Sequence, residues 1–195
     1  MGNNESKQKP GLSDEEATRI SKQTHFSPDE VKILYKRFLL IESTHIVDQQ
    51  IDITEFQTAL GLVSKGFALR IFTAFDKNGS KNITFDEFTH CLSVLCPKAS
   101  LSEKATFCFE IYDNDKNGTI SRQELKEVLE FSLAESNSVH VSPQQIDQIV
   151  DQTFKQVDSD NSGGITLQEF LKAANNNPSI LNCVTLNYDT LMTEP

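Results

Sequence analysis

Four pairs of apolar stripes, each pair separated by a polar segment, organise this chain. Within most stripes the apolar residues recur at spacings of three and four, which predicts amphipathic helices. The stripes that enter the polar segments are Val31/Leu34/Tyr35/Phe38, Ala68/Ile71/Phe72/Phe75, Phe107/Phe109/Ile111 and Ile146/Ile149/Val150/Phe154/Val157. The stripes that leave them are Phe56/Leu60, Phe88/Leu92/Leu95, Leu125/Val128/Leu129/Leu133 and Phe170/Leu171. The pattern predicts an all-α fold in which a helix–loop–helix unit occurs four times.

Three capping patterns mark helix starts. Ser27-Pro28-Asp29-Glu30 combines an N-cap serine, a proline at the first helical position and a glutamate at the third. Ser100-Leu-Ser-Glu103 is a capping box, and Ser142-Pro143-Gln-Gln145 repeats the first pattern with glutamine. These side chains satisfy backbone N–H groups that have no partner inside the helix. We therefore expect helices to begin at these three places.

One isoleucine stands at the eighth position of every loop. These residues are Ile51, Ile83, Ile120 and Ile165, the first being counted back from Glu55. An apolar residue there predicts a short β pairing between neighbouring loops. The units would then pair one with two and three with four, giving two lobes. The predicted division is a flexible segment 1–24, helix–loop–helix units at 27–62, 63–98, 100–135 and 145–180, and a C-terminal helical tail at 181–195.

Composition narrows the classes of function. The chain has 195 residues, a net charge of −10 and a pI of about 4.8, so nucleic acid is not an expected partner. The four cysteines form no CxxC pair, which argues against a zinc site. No catalytic motif with a nucleophile and a base, and no phosphate-binding glycine loop, occurs in the sequence. We expect a protein that is not an enzyme.

The third loop has the ligand pattern of a twelve-residue EF-hand calcium loop. Ca²⁺ prefers six to eight oxygen ligands, and the loop supplies them at positions 1, 3, 5, 7, 9 and 12. Gly118 at position 6 allows the backbone to turn with a positive φ. The candidate ligands are Asp113, Asp115, Asn117, Thr119 through its carbonyl, Ser121 through water, and Glu124 through both carboxylate oxygens.

The fourth loop repeats this pattern with a hydroxyl at position 5, where Asp or Asn is usual. Its required glycine is Gly163 at position 6. We therefore expect Ca²⁺ at hands three and four. The candidate ligands of the fourth hand are Asp158, Asp160, Ser162, Gly164, Thr166 and Glu169.

The second loop departs from the pattern at its sixth position, where Lys81 replaces glycine and Gly79 stands two residues earlier. A non-glycine residue with positive φ is uncommon and strained. Both a weak Ca²⁺ site and a purely structural loop remain open, and Mg²⁺ is an alternative ion. The candidate ligands are Asp76, Asn78, Ser80, Asn82 and Glu87.

The first loop fails the twelve-residue pattern. Counting back from Glu55 puts Thr44 at position 1 and Ile46 at position 3. Asp48 and Asp52 are its other carboxylates. We expect a silent hand that serves as a packing partner, so that the chain binds two Ca²⁺ ions, or up to four if hands one and two also bind.

The amino terminus, Met1-Gly2-Asn-Asn-Glu-Ser6, matches the pattern for N-myristoylation of Gly2. One myristoyl chain binds membranes only marginally, with a constant of roughly 10⁴ M⁻¹. We therefore expect a cytoplasmic protein with reversible peripheral attachment to membranes. The alternative is that residues 1–24 are a polar tail without a lipid.

From about residue 25 onward the chain resembles the calcineurin B-like calcium sensors and their relatives, calcineurin B and the neuronal calcium sensors. The residues that carry the resemblance include those around a lengthened, fourteen-residue first loop, in which Gln49 stands where the family tends to have glycine. The similar stretches are Phe38–Ile41, Thr54–Gln57, Leu92–Pro97, Ser132–Ser136, Asn177–Leu181 and Thr185–Tyr188. The chain lacks the Phe-Pro-Ser-Phe ending of many calcineurin B-like proteins.

The resemblance implies a regulatory protein that binds an amphipathic segment of an effector. The effector is a serine/threonine kinase in the calcineurin B-like group, and a phosphatase catalytic subunit for calcineurin B. We expect a sensor in which Ca²⁺ draws Glu124 and Glu169 inward and opens an apolar groove. Residues 175–195 would compete for that groove. The alternatives are a regulatory phosphatase subunit that stays attached at all Ca²⁺ levels and a passive Ca²⁺ buffer.

Overall fold

Helices dominate the structure, a computed structural model that describes residues 11–42, 49–135 and 141–184. The predicted all-α, four-hand fold is confirmed. In chain order the elements are α1 (Asp14–Ser21), α2 (Pro28–Glu42), α3 (Ile53–Leu60), α4 (Lys65–Phe75), α5 (Phe85–Leu95), α6 (Leu101–Tyr112), β1 (Thr119–Ile120), α7 (Arg122–Glu135), α8 (Pro143–Val157), β2 (Ile165–Thr166), α9 (Leu167–Asn176) and a C-terminal 3₁₀ helix (Pro178–Val184).

The loops pair through the isoleucines, as predicted. Ile51 and Ile83 exchange two backbone hydrogen bonds of 2.9 Å, which joins hand one to hand two. β1 and β2 are antiparallel, with Ile120 opposite Ile165, and join hand three to hand four. All four side chains are buried, at 2% exposure or less. Each pairing therefore fixes the register between two loops and contributes an apolar contact beneath them.

The predicted helix starts are also confirmed. α2 begins at Pro28, and the Ser27 N–H donates to Glu30 at 2.7 Å. Ser100 and Ser142 are the N-caps of α6 and α8, each in a complete capping box. These caps place the helices that enter hands one, three and four.

The flexible segment predicted for residues 1–24 is wrong over α1. Ser13 caps this helix in a capping box, and Ala17 and Ile20 are buried against the core. An ion pair of 2.6 Å between Asp14 and Lys32 adds a contact to α2. Two apolar residues on an otherwise polar eight-residue helix make too short a stripe for a sequence pattern to reveal. Residues 1–10, including Gly2, lie outside the described residues.

One hydrophobic core extends through both lobes. Phe75, at the end of α4, is its junction, and 1% of its surface is exposed. Its ring lies 5.1 Å from that of Phe56 and 6.5 Å from that of Phe88 in the first lobe. It also lies 5.8 Å from Phe107 of α6, edge to face, in the second lobe. Such contacts are favourable beyond the area they bury, so the lobes pack as one body.

The 3₁₀ helix after α9 packs on the second lobe. It contacts α6, α7 and α9, and Ile180 and Leu181 are partly buried against the core. The rest of the predicted tail, from residue 185, lies outside the described residues. Within the described residues no single helix is long and apolar enough to cross a membrane. α3 and α4 meet that test only together, by length and composition, as a pair bent by 111°.

Candidate metal centre

The first ligand of hand three lies where α6 ends. Asp113 is the C-cap of α6 and is 6% exposed. One carboxylate oxygen accepts the N–H of Asn117 at 3.0 Å, and the other accepts the N–H of Gly118 at 2.9 Å. Gly118 reaches this position with φ 88°, in the region that favours glycine. The side chain at position 1 therefore fixes the turn of the loop before any ion binds.

The last ligand closes the loop and starts the next helix. Glu124 accepts the N–H of Asn114 at 2.9 Å through Oε1. Through Oε2 it accepts the N–H and the hydroxyl of Ser121, at 2.8 and 2.7 Å. Ser121 Oγ in turn accepts the Glu124 N–H at 3.2 Å, which completes a capping box at the start of α7. One carboxylate thus caps the exiting helix and points into the loop.

These bonds bring the three carboxylates of hand three together. Asp113, Asp115 and Glu124 each offer an oxygen, and the three oxygens lie within 4.8 Å of one another. Ca²⁺–oxygen distances of about 2.3–2.6 Å place opposite ligands roughly 5 Å apart. The cluster therefore fits a Ca²⁺ ion in charge, chemistry and size. The inward swing expected of Glu124 is not needed to assemble it in this conformation.

The other predicted ligands of hand three line the same loop. Asn117 Oδ1 accepts the N–H of Thr119 at 2.8 Å, and its amide group donates to Asp115 at 2.9 Å. Thr119 lies in β1, so its backbone geometry is set by pairing with hand four. Ser121 is engaged as the cap of α7, and this position suits a ligand that acts through water.

Hand four has the same construction. Asp158 accepts the N–H groups of Ser162 and Gly163, both at 3.0 Å. Oxygens of Asp158, Asp160 and Glu169 also lie within 4.8 Å of one another. The Ser162 hydroxyl donates to the Gly164 carbonyl at 3.0 Å, the carbonyl expected at position 7. Glu169 accepts the Thr166 N–H at 2.9 Å, and its Oε1 accepts the Ser159 N–H at 2.8 Å.

Burial and hydrogen bonding act on these carboxylates in opposite directions. Burial raises the pKa of Asp113, and the N–H groups of Gly118 and Asn117 only partly offset it. The backbone bond from Thr166 is the main cause that lowers the pKa of Glu169 to about 2. Bringing anionic oxygens together in a partly buried loop costs free energy, and a divalent cation is the ligand that relieves this cost.

The second loop has the backbone of hands three and four in spite of its sequence. Asp76 accepts the N–H groups of Ser80 and Lys81 at 3.0 and 2.8 Å. Lys81 has φ 67°, and Gly79 has φ 71°. Position 4 also has a positive φ in the other two loops, at Lys116 and Asn161, so Gly79 is in register with them.

The remaining ligand positions of hand two follow the same plan. The Ser80 hydroxyl donates to the Asn82 carbonyl at 2.8 Å, as in hand four. Glu87 accepts the Thr84 N–H at 2.9 Å and the Asn78 N–H at 3.3 Å. With Asn78 at position 3, the loop has two ligand carboxylates where hands three and four have three. The backbone of the second loop has the same shape as that of hands three and four. Whether this loop is a weak site or a structural loop therefore depends on the charge of its ligands.

In the first loop, the place of the first aspartate is taken by a residue that the sequence pattern missed. Glu42 is fully buried, and its Oε1 accepts the Gln49 N–H at 2.8 Å. Gln49 has φ 64°, the counterpart of Gly118. At the other end, Glu55 accepts the Asp52 N–H at 3.0 Å in a capping box. Residues 43–48, including Thr44, lie outside the described residues. The sequence signal that could have identified Glu42 is the fourteen-residue length of the loop from Glu42 to Glu55.

Comparison with known proteins agrees with this architecture. A family model described as an EF-hand domain pair matches residues 102–174. The calcineurin B protein of Candida glabrata is 34% identical over 169 residues, 87% of this chain and 93% of the relative. That of Naegleria gruberi is 34% identical over 172 residues, 88% and 92% of the two chains. Calcineurin B-like protein 5 of Arabidopsis thaliana is 32% identical over 186 residues, 94% and 91%.

This chain belongs to the calcineurin B and calcineurin B-like family. It is a calcium-binding regulatory EF-hand protein, and the family's regulatory character supports the expectation that it is not an enzyme. For a calcineurin B-like chain, the most informative part of the structure is the pair of carboxylate clusters in hands three and four. Each cluster brings together the three carboxylates among the ligands predicted for its hand.

Each of these two hands is expected to lose its ion when its last glutamate is neutralised. Glu124→Gln should remove one tight binding step from a calorimetric Ca²⁺ titration, Glu169→Gln should remove another, and the double variant should remove both. The amide keeps the size of the side chain but supplies a single neutral oxygen. Glu130→Gln is the matched control, because Glu130 is an exposed carboxylate on α7 outside the cluster. Full binding by the double variant would contradict the assignment.

The backbone of hand two predicts a difference between two substitutions of Lys81. Both Lys81→Gly and Lys81→Ala remove the charge, but only glycine adopts a positive φ without a penalty from Cβ. We expect the glycine variant to be about 1 kcal/mol more stable than the alanine variant. Urea unfolding with excess chelator measures this difference. An alanine variant that is more stable than the glycine variant would show that Lys81 does not have the left-handed conformation, because glycine loses more backbone entropy on folding.

Proposed function

We propose that this protein is a Ca²⁺ sensor that regulates a partner by docking the partner's amphipathic segment against the second lobe. A cavity of about 230 Å³ beneath hands three and four is the observation that carries the proposal. Its lining is mostly apolar, and Ile120 and Ile165 of the two ion loops belong to it. A change in the loops on ion binding therefore acts directly on the cavity. Its other lining side chains include Tyr112, Leu125, Leu129, Val157, Phe170 and Ile180.

The 3₁₀ helix supports the predicted competition between the tail and the partner. Ile180 lines the cavity, and Leu181 packs on the same core. An amphipathic helix that presents apolar residues along one face would replace these contacts. The chain has only two methionines, so its surface lacks the adaptable residues typical of promiscuous sensors. We infer that it has one or a few dedicated partners.

A serine/threonine kinase with a regulatory tail is the first candidate partner. The fourteen-residue first loop, which runs from Glu42 to Glu55, supports this choice because it resembles that of the calcineurin B-like sensors. A phosphatase catalytic subunit is the second candidate. The similarity to calcineurin B proteins from several organisms, over most of the chain, supports it. The mostly apolar cavity lined by Ile180 favours a sensor over a passive buffer, because a buffer does not need an apolar docking site.

Co-purification from the protein's native cells tests this function. We expect a kinase or phosphatase catalytic subunit to be recovered with Ca²⁺ and lost with chelator or with the Glu124→Gln/Glu169→Gln double variant. Truncation after Asn177 should increase its recovery, because the 3₁₀ helix, whose Ile180 lines the cavity, no longer covers the apolar surface there. Equal recovery with and without Ca²⁺ would indicate a constitutive subunit. A hydrophobic dye whose fluorescence does not respond to Ca²⁺ would indicate a buffer.

We also propose that Gly2 is N-myristoylated and that the protein acts in the cytoplasm with reversible attachment to membranes. The hexapeptide pattern at residues 1–6 supports this, and one acyl chain accounts for reversibility. Gly2→Ala should abolish incorporation of a myristate label and shift the protein from the membrane fraction to the soluble fraction. Asn3→Ala is the matched control, since that position is unrestricted in the pattern. Unchanged partitioning of Gly2→Ala would show that no lipid at this residue attaches the protein to membranes.

A further inference from the structure

One face of α7, the helix that leaves hand three, packs against α4, the helix that enters hand two. At its end, Glu135 accepts the N–H groups of Val63 and Ser64 at 2.9 and 2.6 Å. One turn earlier, Phe131 covers Gly66, and a Cβ on this glycine would lie 2.6 Å from the ring. The α4–α7 contact extends to the base of the third ion loop. There the α4 residue that makes the contact is Arg70.

Arg70 of α4 crosses into the second lobe and is 6% exposed. One guanidinium nitrogen donates to the carbonyl oxygens of Ile111 and Tyr112, at 3.3 and 3.0 Å. The other forms an ion pair with Glu127 of α7. The group also lies 5.8 Å from the centre of the Phe131 ring. Arg70 therefore contacts both helices of hand three from the other lobe.

The two carbonyls that Arg70 binds are the last two of α6. The final carbonyls of a helix have no partner within it, and the negative end of the helix dipole favours a cation there. α6 has no basic residue of its own in its last turn. Asp113, the first ligand of hand three, follows Tyr112 directly. Arg70 thus holds the backbone at the point where the ion loop begins.

On the other side of the loop, Arg70 holds the exiting helix. Glu127 lies three residues after Glu124, on the same side of α7. Its second oxygen accepts a hydrogen bond from Gln123 at 2.9 Å, so its carboxylate has partners on both oxygens. A planar guanidinium can donate to a carboxylate and to carbonyls at once in a fixed geometry, whereas a lysine ammonium is a point charge. Arg70 therefore links the entering and exiting helices of hand three at the loop.

We propose that Arg70 is a positioning residue for Ca²⁺ at hand three, through which the first lobe holds the entering and exiting helices in the arrangement that brings Asp113 and Glu124 together. The proposal rests on the proposed Ca²⁺ site of that hand. The charge of Arg70 has the opposite effect, since a cation near the loop repels Ca²⁺. Positioning and repulsion therefore predict opposite signs when Arg70 is replaced.

The test follows Ca²⁺ binding at each hand separately by NMR, with a competing chelator. The amide of Gly118 reports on hand three in a Glu169→Gln background, because it donates to Asp113. The amide of Gly163 reports on hand four in a Glu124→Gln background, because it donates to Asp158. We expect Arg70→Met and Arg70→Lys each to weaken Ca²⁺ binding at hand three by about fivefold or more, the lower end of coupling between sites. Binding at hand four should be unchanged.

Control variants distinguish a positioning role of Arg70 from charge repulsion and from a loss of fold. Arg19→Met removes the same charge from an exposed pair with Asp86 at 2.9 Å, and should leave hand three unchanged. Tighter binding in Arg70→Met with unchanged binding in Arg70→Lys would show repulsion alone and overturn the proposal. Equal weakening at both hands would show a loss of fold and overturn it too. If Arg70→Met does not fold, Arg70→Lys carries the test, because it keeps the charge and loses only the fixed geometry of the guanidinium.

The same titration distinguishes this proposal from the proposed site itself. If Gly118 does not respond to Ca²⁺ in the Glu169→Gln parent, hand three is not a Ca²⁺ site and the role of Arg70 falls with it. If Gly118 responds equally in the parent and in both Arg70 variants, the site stands and the positioning role is wrong.

Discussion

The structure depends most on the hydrogen bonds accepted by the carboxylate at the last position of each loop. In hands two, three and four it accepts N–H groups from both ends of its loop, and its backbone N–H is capped in return. The same carboxylate therefore closes the loop and caps the exiting helix. An ion that binds this carboxylate competes with the hydrogen bonds it accepts from the start of the loop. The bond from the capping side chain to the backbone N–H of the glutamate is not affected by this competition. In the proposed sensor, this carboxylate is the point at which binding of a small cation would act on a helix.

The second constraint is that the loops do not act alone. Each is paired with a neighbour through a buried isoleucine, and Phe75 joins the cores of the two lobes. Arg70 adds a polar contact that links α4 to both helices of hand three. With the 3₁₀ helix packed on the second lobe, the ion loops, the lobe contact and the apolar cavity share one set of helices. In the proposed function, these shared helices are the route by which ion binding would act on partner docking.

Sequence spacing predicted those parts of the molecule whose interactions are local. Loop ligands, capping serines and the isoleucine at position eight act within a few residues of one another. Three features were missed for physical reasons. The stripe of α1 has only two buried residues, Glu42 lies in a loop of unusual length, and the left-handed conformation of Lys81 is imposed by its surroundings. The contact of Arg70 with Ile111 spans 41 residues, so no local pattern contains it.

Anomalous diffraction from crystals grown with Ca²⁺, measured at long wavelength, would locate the ions themselves. We expect one peak in hand three and one in hand four, each about 2.3–2.6 Å from the clustered carboxylate oxygens. In hand three these belong to Asp113, Asp115 and Glu124. The absence of a peak from both loops at saturating Ca²⁺ would contradict the assignment of these clusters as Ca²⁺ sites.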